Sequence, residues 1–185
     1  KILWCLSVFF ITASFLIFDR VNYMTLTASL IGVTALIFCA KGNPFGQILM
    51  ILFSAFYGYI SYGFRYYGEM MTYVGMSGPM DLVSLITWLK NPYEKNKSEV
   101  KVNKLQNKEV LFMILLSALV TFLFYFILKC FNTTNMFFST LSITTSFIAV
   151  YLTFRRSPFF ALAYALNDII LIILWIFSSF ENSEY

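Results

Sequence analysis

Two carboxylates stand deep inside apolar runs, Asp81 eleven residues in from Met70 and Asp168 ten residues in from Pro158. At 1.5 Å per helical residue those depths are about 16 and 15 Å, close to the centre of a bilayer core roughly 30 Å thick. A carboxylate there costs about 2.5–3.5 kcal/mol on the insertion scale, so each is expected to face a bundle interior or a wet cavity. Asn167 precedes Asp168. Residues three and four apart share a helical face, and this spacing groups Tyr73, Ser77, Asp81, Ser84 and Trp88. It likewise groups Tyr164, Asp168, Leu171 and Trp175, and Gln47, Met50, Ser54, Tyr57 and Ser61. Rings beside amides, hydroxyls and carboxylates suit a ligand with an aromatic base to stack and a ribose-like polyol to hydrogen-bond. A second account stays open beside this one: Asp hydrogen-bonded to a neighbouring helix, Tyr and Trp in interfacial belts, Ser and Thr in helix packing. For Trp88 and Trp175 the belt is the first account.

Tyr66, Tyr67 and Glu69, with Arg65 and Gly68, mark the turn before the fourth apolar run. They read either as a headgroup-level aromatic anchor with a local ion pair or as an outer gate over the site. Gly75, Gly78 and Pro79 interrupt the same run, as a kink or as a break that frees carbonyls for a polar ligand.

The elements that must position these residues are membrane spans. The chain is 59% hydrophobic, 20% aromatic and 12% charged, against roughly a quarter charged in a soluble domain. Apolar stretches run over 1–18, 23–40, 46–64, 69–89, 109–130, 135–154 and 159–180, each near the ~17–25 residues that span a bilayer. The predicted fold is an all-α integral membrane protein of seven transmembrane helices. Segment 1–18 has the charge and small residues of a signal peptide, but the repeat described below makes it a retained helix. The hydrophilic segment 91–108 is expected to be a solvated cytoplasmic loop.

Ten Lys and Arg fall on one side of the spans (Lys1, Lys41, six between Lys90 and Lys108, Arg155 and Arg156) and three on the other (Arg20, Arg65, Lys129). The positive-inside rule puts the amino end in the cytoplasm and the carboxyl end outside, in the cell (inner) membrane. These cations lie between spans rather than on a patch interleaved with base-stacking rings, so the net charge of +4 does not point to nucleic acid. Cys5, Cys39 and Cys130 are scattered singly and there is no His, so neither a disulfide framework nor a metal site is expected. No catalytic residue and no cofactor is nominated.

Lys41-Gly42-Asn43-Pro44-Phe45 is echoed by Arg155-Arg156-Ser157-Pro158-Phe159, a shift of 114 residues that also carries the first three spans onto the last three. Two three-helix repeats need a reversing helix between them to run parallel, which divides the chain into 1–66, a linker helix 67–90, the basic loop 91–108, and 109–185. Parallel repeats of this 3+1+3 kind occur in SWEET-type transporters, where the ligand sits between the bundles and one rocks against the other.

The run from Phe45 to Asn91, with Tyr57-Gly58-Tyr59-Ile60-Ser61, Tyr66-Tyr67-Gly68-Glu69, Pro79 and Trp88-Leu89-Lys90, resembles the PnuC-type transporters of nicotinamide riboside. Asn167-Asp168 to Leu174-Trp175 is similar to the matching part of the second repeat. The resemblance implies facilitated diffusion of a vitamin precursor, trapped by a cytoplasmic kinase that phosphorylates it. Relatives of the family take thiamine, riboflavin or nucleosides. Many nicotinamide riboside carriers show Trp-x-x-Trp at the start of the last helix, where this chain has Pro158-Phe159-Phe160-Ala161-Leu162-Ala163-Tyr164. An altered aromatic lining is where ligand choice changes.

Three other functions compete. A proton-coupled carrier would titrate Asp81 or Asp168. A retinal-type receptor lacks a Lys between Pro158 and Phe180 for a Schiff base. An intramembrane protease would need the two carboxylates adjacent around a water. The oligomeric state stays open, a homo-oligomer included.

Overall fold

The computed structural model describes residues 2–63, 67–94, 98–133 and 135–182, with Trp175 and residues 178–182 described in their backbone alone. The described residues form α1 (Ile2–Phe18), α2 (Tyr23–Ala40), α3 (Phe45–Gly63), α4 (Tyr67–Met71), a π turn (Thr72–Ser77), α5 (Gly78–Lys90), α6 (Asn107–Cys130), α7 (Met136–Phe154) and α8 (Phe160–Asn182). Met71 and Gly78 flank the π turn in right-handed helical geometry, so α4, the turn and α5 wind as one rod and the helical rods number seven among the described residues. Helices α2, α3, α6 and α7 are long and apolar enough to cross a bilayer, and Ile2–Phe18 and Phe160–Leu174 are shorter apolar helices. Large side chains such as Phe9, Phe10, Phe122 and Ile172 stand about 60% or more exposed, a surface that suits lipid and not water.

Contacts divide the chain into two compact units, Lys1–Arg65 with Glu69–Lys101, and Tyr66–Gly68 with Val102–Tyr185. In the first, α1 packs on α2, α2 on α3, and α3 on α5 and the π turn. The π turn and α5 therefore belong with α3. Ala28, Ala35 and Cys39 make a buried small-residue stripe on α2, and Gly46 lets α3 come close to it: a Cβ at Gly46 would lie 2.6 Å from the Cys39 nitrogen and 3.0 Å from the Ala35 carbonyl. In the second unit α7 packs on both α6 and α8, and the Thr121 and Thr144 hydroxyls meet at 2.8 Å between α6 and α7.

Turns end the helices through specific bonds. After α1, Asp19 accepts the Asn22 side-chain amide at 2.9 Å and the backbone N–H groups of Val21 and Asn22. These bonds, the side-chain amide first, hold its carboxyl below the usual range. The α2–α3 turn bonds Lys41 N–H to Ile37, Gly42 to Cys39 and Asn43 to Phe38. The α7–α8 turn bonds Arg155 N–H to Tyr151, Arg156 to Thr153 and Ser157 to Leu152, the same pattern 114 positions on. In each turn the second residue is left-handed, Gly42 at φ 69 and Arg156 at φ 58.

The segment after α5 is less free than its composition suggests. Val100 is 8% exposed and its N–H donates to the Gly42 carbonyl at 2.8 Å, while Pro92 and Val100 form a β-bridge. In the second unit Asn103 N–H donates to the Arg156 carbonyl at 3.1 Å, and α6 then starts at Asn107, where Gln106 N–H reaches Glu109 Oε2 at 3.3 Å. The expectation of a fully solvated loop is thus corrected at Val100, whose valine side chain has a turn to bury against.

Candidate functional site

The first unit concentrates its buried polar groups between α3 and α5. Gln47, Ser54 and Ser61 on α3, and Ser77, Asp81 and Ser84 on the facing rod, are all below 9% exposed. Their spacing of three, four and seven keeps them on one face of each helix, as the sequence indicates. Ser54 Oγ donates to Asp81 Oδ2 at 3.2 Å. Gln47 Nε2 donates to Cys39 Sγ at 3.3 Å, and Cys39 lies within electrostatic reach of Asp81. Asp81 Oδ1, Gln47 Oε1 and Ser84 Oγ are buried and take no hydrogen bond from the described residues. Such groups in a native core are exceptions that call for a reason. Together they offer two strong acceptors and a hydroxyl to a polyhydroxyl ligand.

An aromatic group stands one turn along α3 from Ser54. Tyr57 and Tyr73 have ring centroids 4.6 Å apart, and Phe53 lies 5.4 Å from Tyr57 and 5.9 Å from Tyr73. The π turn delivers Tyr73. Pro79 has no N–H to give the Gly75 carbonyl and its ring presses on that carbonyl, so the helix widens and Gly78 N–H reaches back five residues to Tyr73. The interruption foreseen at Gly75, Gly78 and Pro79 is therefore a widened turn in a continuous rod, a form common at functional sites. Trp88 is 2% exposed and sits on the buried face of α5, so it is a core residue and not part of an interfacial belt.

In the second unit α8 turns Asn167 inward. Thr145 and Ser146 of α7 each donate to Asn167 Oδ1 at 2.9 Å, and Asn167 is 6% exposed. Asp168, expected to face the interior, is exposed instead. The inward face reads Ala163, Asn167 and Leu174, one position off Tyr164, Asp168, Leu171 and Trp175. An amide met by two hydroxyls is cheaper to bury than a carboxylate. Tyr164 is half-buried beside Phe160, and the side chain of Trp175 lies outside the described residues.

Of the three residues nominated as a gate, Tyr66 lies outside the described residues. Tyr67 sets its ring 5.8 Å from Phe131 and belongs with the second unit. Glu69 belongs with the first, within electrostatic reach of Tyr57, and its Oε2 is buried with no hydrogen bond among the described residues. Sequence reasoning passed over Cys39, and only its spacing of four and eleven from Ala35 and Ala28 hints that it faces α3. A separate open groove of about 390 Å³ between α1 and α2, walled by Phe10, Phe15 and Leu26 with Asp19 among them, holds none of the nominated residues.

This chain has known relatives. It is 25% identical over 185 residues to the nicotinamide riboside transporter PnuC of Neisseria mucosa, covering 98% of this chain and 70% of that one. Its fold matches the crystal structure of the vitamin B3 transporter PnuC with a TM-score of 0.81 at 21% identity, over 96% of this chain and 77% of the other. The family model described as nicotinamide mononucleotide transporter matches residues 22–182, and with that match the chain belongs to this family of multi-pass membrane transporters.

Proposed function

We propose that the protein carries nicotinamide riboside across the cell membrane by facilitated diffusion with alternating access, and that the polar cluster on α3 and α5 holds part of the ligand. The observation that carries this reading is the trio of unpartnered buried atoms, Gln47 Oε1, Asp81 Oδ1 and Ser84 Oγ. Two acceptors and a hydroxyl match the hydroxyls of a ribose, and the Phe53, Tyr57 and Tyr73 rings offer faces for an aromatic base. Ser77 lies between these two groups on the same rod. Family membership supplies transport, and the name of the Neisseria relative supports the riboside. Asn167, Asp168, Tyr164 and Trp175 are the second unit's nominated ligand residues, and Tyr66, Tyr67 and Glu69 the gate. A cytoplasmic kinase that phosphorylates the riboside would hold the gradient inward.

Binding of radiolabelled nicotinamide riboside to the purified protein tests the reading. Saturable binding, displaced by unlabelled riboside and not by thiamine or riboflavin, is the expected result. Displacement by thiamine or riboflavin at lower concentration would reassign the substrate within the family's range. Uptake that collapses with a protonophore would replace facilitated diffusion by proton coupling.

The orientation is tested separately. A reporter fused within 91–108 is expected in the cytoplasm and one at Tyr185 outside, from the ten-to-three division of Lys and Arg. Both reporters on one side would remove the seven-span topology.

A further inference from the structure

Arg156 sits where its backbone least wants a side chain. At φ 58 it is left-handed, a region that Gly enters freely and an L-residue with a Cβ enters at a cost, and the matching turn of the first unit uses Gly42 there. The side chain is not recompensed inside the protein. Among the described residues its Nε is buried without a hydrogen bond and it makes no ion pair, whereas Arg155 pairs with Glu109. Burial first, and the charge of Arg155 second, work against the positive charge of Arg156. An uncompensated guanidinium beside a second one is a demand for an external anion, and a guanidinium fork fits the paired oxygens of a phosphate.

The surroundings say which phosphate. Three residues after Arg156 an apolar stripe begins in the turn and runs onto the outer face of α8: Phe159, Leu162, Leu166 and Ile169 are between 52% and 65% exposed at helical spacing. A free phosphate gains nothing from such a stripe, whereas a phospholipid has an acyl chain to lay along it. We propose that Arg156 binds the phosphate of an anionic phospholipid whose acyl chain runs down Phe159, Leu162, Leu166 and Ile169. This inference is independent of what the protein transports.

The test uses the full chain in neutral detergent, with melting temperature and native mass spectrometry read after addition of phosphatidylglycerol, phosphatidylcholine or inorganic phosphate. Phosphatidylglycerol is expected to stay bound and to raise the melting temperature by several degrees, and the other two are not. Arg156→Gly suits the turn, so without lipid it should melt at or above the parent temperature, yet lose at least tenfold in phosphatidylglycerol affinity and most of the thermal shift. Arg156→Lys keeps the charge without the fork and should retain part of the shift; it also decides the matter if the Gly variant does not fold. An undiminished shift in either variant overturns the proposal. So does an equal shift from phosphatidylcholine, or a full shift from inorganic phosphate alone.

Discussion

Asp81→Asn should weaken nicotinamide riboside binding by roughly ten- to a hundredfold while leaving the ligand-free protein at least as stable as the parent. Asp81 is fully buried, with Ser54 on one oxygen and no described residue on the other. Without ligand, a charge held there lacks most of the hydrogen bonds that repay its desolvation. The amide keeps the shape and removes the charge, so the melting temperature should hold or rise. With ligand, the loss of a hydrogen bond to a charged acceptor is worth about 1.5–3 kcal/mol, which converts to the stated range. Calorimetry alongside thermal melting separates the two effects. A folded variant that binds at full strength would take Asp81 out of the site. Asp168→Asn is the companion measurement: its side chain is exposed on α8, so stability should not move, and an unchanged affinity would leave Asp168 with no part in binding.

Gly46→Ala should strongly destabilise the first unit. The added Cβ would lie 2.6 Å from the Cys39 nitrogen, 2.7 Å from its sulfur and 3.0 Å from the Ala35 carbonyl. Two of these atoms are backbone, so relief requires α2 and α3 to move apart, and overpacking of this kind costs about 1–3 kcal/mol and sometimes more. Separation would also disturb the contact of Gln47 with Cys39, so binding should fall with stability. Gly63→Ala, at the end of the same helix, is the control, since no described residue lies within 4 Å of its Cβ position, and it should melt close to the parent temperature. If both variants melt at the parent temperature, the close approach of α2 and α3 is not what Gly46 secures.

The helices themselves were legible in the sequence because Lys, Asn, Pro and Asp punctuate the apolar runs. The stretch 23–40 coincides with α2, and 46–64 is displaced from α3 by one residue at each end. The inner face of α5 was legible too, since Ser77, Asp81, Ser84 and Trp88 are polar or large at helical spacing among aliphatic neighbours. The inner face of α8 was not. Around Asn167-Asp168 the helix is apolar on every side, and in a membrane the lipid-facing side is as apolar as the packed one. What decided between the two residues was Thr145 and Ser146 on α7, 21 and 22 positions away, a pairing that no pattern along α8 records. The burial of Val100 was hidden for the same reason, since it depends on Gly42, 58 positions away.

The π turn gives the rod a change of phase. Six residues wound in this way use about one residue more than an α-helix needs for the same rotation, so the positions before Thr72 and those after Ser77 are read from different starting points. Deleting Val74, which is exposed, would remove about the one residue that the widened turn holds in excess, so the rod on either side would keep nearly its present phase. A one-residue gap between relatives within 72–77 therefore marks the loss of the widened turn and not a change in which face of the rod meets α3.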